Sequence, residues 1–204
     1  VDGGSLVIAV AAETAGWNVL KPGEPFRTLD AYVAKAMAKH SEFFQRQLRQ
    51  GPARGRTFFN FVREVARCCG SEGLIYSNLF CFDWKGGSPM RSKAHYEMVQ
   101  HYSARLLKVQ VDYFKPDIII FANGSASAGA RRACFPISGA HKVCDKGRDY
   151  VRTHNLPNSQ LWEFQLHDTI RCFRIQHPSS RSAVAPVARQ CLLTLLPANP
   201  PECA

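Results

Sequence analysis

The feature that most constrains this chain is a repeated exchange between short apolar runs and longer amphipathic stretches. Four runs stand out: SLVIAVAA (5–12), LIYSNLF (74–80), DIIIFANG (117–124) and TIRCFRIQ (169–176). Each is rich in β-branched or aromatic residues and too short to span a helix, so each predicts a strand. The third is apolar on both of its faces, which predicts a strand covered on both sides. Between the runs lie helical stretches. One begins at Thr28 or Asp30 and continues to about Arg49, and TFFNFVREVARCC (57–69) follows the basic turn GPARGR and is closed by Gly70 and Gly73. A long helix runs from about Arg91 to Phe114, with Met98, Tyr102, Leu106, Val109 and Tyr113 along one face and Lys115-Pro116 as its stop. A short helix is expected around 125–134 and a last one over 181–196. This alternation predicts an α/β fold, a three-layer α/β/α sandwich around a central, mostly parallel four-stranded sheet. A single domain spans 1–204, with 1–4 read as a cloning remnant and 136–168 as an irregular polar insert.

Charge limits the partners. The chain of 204 residues carries a formal net charge of +10, with Lys and Arg spread through helices and loops rather than gathered in a tail. Such a field attracts polyanions to a folded surface. No apolar run approaches the ~20 residues that cross a bilayer, which predicts no membrane association. SLVIAVAA lacks a basic leader and runs straight into Glu13 and Gly16, which argues against a secretory signal. Of the eight cysteines, Cys68 and Cys69 are adjacent and no C-x-x-C pair occurs. They read as reduced core thiols in a cytoplasmic protein of bacterial or phage origin, with no metal site.

In open parallel sheets ligands bind beyond the carboxyl ends of the strands. Here those ends carry AETAGWN, SNLFCFDW, NGSAS and HPSSRSA. The segments AETAGW (12–17), SNL (77–79) and HPSSRSA (177–183) resemble, in order and context, the motifs of the uracil-DNA glycosylase superfamily. Ala12-Glu13-Thr14-Ala15-Gly16 is similar to that family's GEAPG form. Asn78 matches its pyrimidine-reading Asn, and His177-Pro178-Ser179 matches its last motif. The resemblance runs from about residue 5 to 196.

What the resemblance implies is hydrolysis of an N-glycosidic bond in DNA after the nucleotide leaves the stack. Such a reaction builds positive charge on the sugar and negative charge on the departing base. Glu13 is the expected negative or water-positioning group, with a turn cap as its ordinary alternative. His177 is the expected donor to the base carbonyl. Thr14 replaces a catalytic acid or amide found in some branches, so Asp83 or Asn18 would have to compensate. Asn78, Trp17, Gly16, Phe80 and Trp84 are the expected base-binding residues, although Phe80 and Phe82 fit core packing equally well. Ser179, Ser180, Arg181 and Lys85 are expected on DNA, with a solvated surface role as the alternative for Arg181. Gly16 stands where the commonest branch has a Tyr that rejects 5-substituents. Its small size admits modified pyrimidines, including hypermodified cytosines of phage DNA, and so suggests anti-phage defence. His141, Lys142, Arg148, Arg152, His154 and Asn155 of the insert would then line an enlarged pocket. One family branch holds an iron–sulfur cluster with cysteines upstream of its first motif, but here none precedes Cys68. The expected enzyme is therefore a monomeric, monofunctional glycosylase with DNA as partner and no cofactor. Uracil repair and a catalytically silent DNA reader are the alternatives. A small-molecule hydrolase is disfavoured, because GSASAG is not the G-x-S-x-G nucleophile turn.

Overall fold

The apolar runs lie side by side because each presents side chains to both faces and needs cover on both. A computed structural model describes residues 5–13, 26–82 and 87–198. In chain order it contains β1 (Val7–Ala11), α1 (Leu29–Arg49), α2 (Thr57–Cys69), β2 (Leu74–Asn78), α3 (Tyr96–Phe114), β3 (Ile118–Phe121) and α4 (Ala128–Cys134). These are followed by β4 (Cys144–Arg148), α5 (Val151–His154), β5 (Leu161–Leu166), β6 (Ile170–Ile175) and α6 (Ala185–Leu195). A single 3-10 turn, Pro89–Arg91, precedes α3.

One sheet runs in the order β2-β1-β3-β6-β5-β4. Strands β2, β1, β3 and β6 are mutually parallel, while β5 and β4 are antiparallel additions. Alternation along the strands divides the interior in two. Val7, Ala9, Ile118, Ile120, Phe173 and Ile175 face a core closed by α2 and α6, with Phe44 and Leu48 of α1 packed against it. Ile8, Val10, Ile119, Phe121 and Cys172 face a second core closed by α3 and α4. The chain leaves β1 for β2 on one side and reaches β3 on the other. The strand order therefore reverses around β1, the position at which α/β sheets open a crevice.

The sheet has six strands, not the four expected. The four expected ones are the parallel set. The other two arise from 136–168, which is not irregular. LWEFQL alternates, turning Trp162, Phe164 and Leu166 to the second core, while only Cys144 of CDKGR is buried. A charged, bulged edge strand of this kind resists pairing with another chain.

Helix α3 corrects a second expectation. Its buried residues are Val99, Ser103, Leu107 and Val111. Met98, Tyr102, Leu106, Val109 and Tyr113 all lie exposed. Two stripes one residue apart lie about 100° from each other on a helix, and the one carrying Ser103 faces inward. Ser103 is satisfied there, because its Oγ accepts a 3.0 Å bond from the Cys81 backbone N–H. Thr28 caps α1, its Oγ1 accepting from Ala31 N–H at 3.2 Å. The cysteines among the described residues are unpaired and mostly buried.

Candidate active site at the carboxyl ends of the strands

Parallel pairing fixes where the strand ends meet. Ala11 lies opposite Asn78, and the ladder continues beyond the strands, with Leu79 and Phe80 donating N–H bonds to Ala11 and Ala12 O at 2.9 Å each. Glu13 is thereby held beside the end of β2. On the far side of β3, the Gly124 backbone turns at φ +74° immediately next to His177. A Cβ at Gly124 would stand 3.4 Å from the His177 nitrogen, so both the turn and the close approach favour glycine.

Tyr76 is the hub of this region. It is buried, and around it pack His40 (ring centroids 5.2 Å apart, near-parallel), Phe44 (5.6 Å), Phe58 (5.6 Å) and Phe59 (5.5 Å). Phe58 in turn stacks on His177 at 6.1 Å and 19°. Burial, reinforced by the Glu13 carboxylate, pushes the Tyr76 phenol well above its usual pKa, against the opposing effect of its bond to Asn78. Glu13 and His177 therefore border one aromatic patch, from β1 on one side and β6 on the other. The phenol O–H donates to Asn78 Oδ1 at 3.0 Å. Among the described residues the Asn78 Nδ2 group has no partner, so the amide is oriented to donate.

The imidazole of His177 is half-buried, and its local bonds define its tautomer. The Ser179 backbone N–H donates to His177 Nδ1 at 3.2 Å. An amide nitrogen can only donate, so Nδ1 is an acceptor and the neutral ring carries its proton on Nε2. Ser179 Oγ lies 2.6 Å from the same Nδ1. Burial lowers the pKa of His177 below its ordinary value, which favours this neutral, Nε2–H form.

The turn that follows differs from the expected phosphate cradle. The helix starts at Ala185 rather than 181, and before it the amides of Ser179, Ser180, Ser182 and Val184 are already bonded. Ser180 N–H donates to His177 O at 2.7 Å. Ser182 N–H donates to Ser180 Oγ at 3.3 Å and Val184 N–H to Ser182 Oγ at 3.4 Å. A phosphate would thus meet the exposed Ser179 hydroxyl, the partly exposed Ser180 and the exposed Arg181 before it met free amides. Phe80 is likewise corrected as a pocket wall: it is 1% exposed and packs in the second core, 6.2 Å from Tyr96. Gly16, Trp17, Thr14, Asn18, Asp83, Trp84 and Lys85 lie outside the described residues, as do residues 1–4.

Three residues that sequence reasoning passed over belong to this region. His40 and Phe58, from α1 and α2, form its aromatic wall. Their signal was aromatic spacing on helices, which also describes plain core. The third is Asn123, immediately after β3. It is 5% exposed, yet among the described residues neither Oδ1 nor Nδ2 has a hydrogen-bond partner. Buried amides are almost always bonded, and an exception calls for a specific explanation, a catalytic role or a bound group among them. An Asn closing an apolar strand at the carboxyl edge was the available clue.

Compared with known families and with curated proteins, the chain matches no family model and no curated sequence.

Proposed function

We propose that this chain is a monofunctional DNA glycosylase that hydrolyses the N-glycosidic bond of a flipped-out modified or damaged pyrimidine and leaves an abasic site. The observation carrying this reading is that Glu13 and His177, 164 positions apart in the sequence, flank the same Tyr76–Phe58 patch at the switch point of the sheet. The carboxylate supplies negative charge on the sugar side. The Nε2–H of a neutral imidazole supplies a donor for the base carbonyl as the leaving pyrimidine becomes anionic. A neutral donor suits this task, because it stabilises the developing anion without first repelling the cationic sugar. Asn78 Nδ2 offers a second donor to a pyrimidine edge, and the aromatic patch provides a surface for a base outside the stack. The resemblance of AETAGW, SNL and HPSSR to the uracil-DNA glycosylase superfamily supports the same chemistry, and Gly16 favours a substrate bearing a 5-substituent.

The test is to incubate the protein with duplexes containing uracil, a thymine mismatch or glucosylated hydroxymethylcytosine, and to identify released base by mass. Glu13→Gln and His177→Gln are each expected to lower single-turnover release by roughly 10²–10⁴-fold. Tight DNA binding with no base release from any substrate would instead make the chain a silent reader. Release from uracil alone would move it to uracil repair.

A further inference from the structure

On the other face of the sheet, α4 and the β4–β5–β6 ladder enclose a cavity of about 450 Å³. Its wall carries five cations, Arg131, Arg132, Lys142, Lys146 and Arg174, and a single carboxylate, Asp145. That carboxylate is already engaged, because Lys142 Nζ lies 2.5 Å from Asp145 Oδ1. Among the described residues no other acid lines this wall, and Arg131, Arg132 and Arg174 lie close enough to repel one another. Burial, then the repulsion of Arg174 and Arg132, lowers the Arg131 pKa to about 10, and Arg131 Nη1 is a buried donor with no acceptor among the described residues. Arg174 is held in place by its bonds to the Asn158 and Ser159 carbonyls, the latter at 2.7 Å. These arginines present preset N–H donors to an anion.

The rest of the wall is mostly apolar. Trp162 and Phe164 project from β5, and Phe135 and Ile137 close the far side. The bulge in β4 shapes this half. Lys146 there sits in left-handed backbone at φ 48°, and Gly147 presses so closely on the indole that a Cβ would lie 2.3 Å from Trp162 Cζ2. Inorganic phosphate alone would satisfy the cations and leave the aromatic half empty. The volume falls in the usual range of small-ligand sites, about 300–1,000 Å³.

We infer that this cavity is a second binding site, for a nucleoside phosphate whose phosphate meets Arg131, Arg132 and Arg174 and whose base lies against Trp162. The nucleotide is either free or one unit of a nucleic-acid strand; the chemistry of recognition is the same. The inference does not depend on the proposed glycosylase chemistry.

Calorimetric titration of the full chain with thymidine 5′-phosphate, thymidine and a short 5′-phosphorylated oligothymidylate tests it. Saturable binding is expected for at least one phosphorylated probe, at least tenfold tighter than for thymidine. The doubly charge-reversed variant Arg132→Glu/Lys146→Glu, altered at two exposed positions, is expected to bind that probe at least tenfold more weakly while keeping its circular dichroism. Tight binding of the mononucleotide identifies a free ligand. Tight binding of the oligothymidylate alone identifies a strand. Undiminished affinity in the variant, equal affinity for thymidine, or no saturable binding of either phosphorylated probe overturns the inference. The variant should still release base from saturating substrate DNA, so a failure of the glycosylase reading is seen separately, as absent release in a protein that binds the nucleotide.

Discussion

A buried amide that bonds nothing weakens the protein that carries it, and among the described residues the Asn123 side chain finds no partner. Leaving a donor and an acceptor unsatisfied costs about 1–3 kcal/mol, and an apolar group of similar shape avoids that cost. Asn123→Leu is therefore expected to raise unfolding stability by about 1–3 kcal/mol in urea titration, and to impair base release if a substrate completes the amide. A loss of stability would mean that the amide is internally satisfied after all. His177 makes a pH-dependent counterpart. Its folded pKa lies below the ordinary 6.5 because of burial, and the same cause lowers His40. As pH falls through about 6.5 the unfolded chain takes up protons that the folded one refuses, so stability declines. It levels off once the folded pKa is passed, and above 6.5 these groups contribute no slope. Unfolding free energies between pH 5 and 8 should show that decline, and His177→Gln should flatten it. An unchanged slope in the variant would assign the whole effect elsewhere.

Among the elements, the added strands are tied to the parallel set by a half-buried polar network. Arg171 Nε and Nη2 donate to Glu163 at 2.8 and 3.2 Å, and Arg171 Nη1 reaches Leu195 O at 2.9 Å. Tyr150 O–H donates to the same carboxylate. Burial alone would raise the Glu163 pKa, but the bonds from Arg171 and Tyr150 outweigh it and hold the carboxyl below its usual range. Glu163→Gln removes the charge that these donors share and should cost about 1–3 kcal/mol by thermal or urea unfolding. A neutral outcome would show the ladder alone suffices to hold β5. None of this was readable beforehand, because partners eight and thirteen positions apart become neighbours only after pairing. The four parallel strands were legible as short runs rich in β-branched and aromatic residues, the third of them apolar on both faces. LWEFQL was also periodic, but the polar segment around it hid a strand whose outer neighbour, β4, is charged and mostly exposed. In α3 the sequence offered two stripes, and the longer and more aromatic one proved to face solvent. Tertiary packing chose Ser103 because the β2–α3 loop supplies it with an amide. The site shows the same division. Glu13, Asn78 and His177 follow apolar strands directly and could be placed from sequence, whereas His40 and Phe58 reach it from helices whose docking no local pattern specifies.

For the molecule as a whole, the excess of ten positive charges makes an ionic-strength argument. A protein that neutralises phosphates releases the counterions condensed on them, so the logarithm of affinity falls linearly with that of salt, by about 0.9 per phosphate on duplex DNA. Diffuse attraction by surface lysines and arginines would give this dependence on any duplex. A site-specific contact does more: its removal lowers the slope by about one and weakens binding evenly across sequences. Arg181 is the residue to test, since it is exposed in the turn between His177 and α6 and its loss leaves no buried group unpaired. Duplex affinity measured between about 50 and 200 mM salt should drop by orders of magnitude if several phosphates are held. Arg181→Ala should reduce the slope by about one without altering the thermal midpoint. A flat salt response in the parent protein would leave the basic surface without a nucleic-acid role and remove the premise of base extrusion. A steep response that Arg181→Ala leaves unchanged would move the DNA track away from the His177 turn, and with it the substrate from the Tyr76–Phe58 patch.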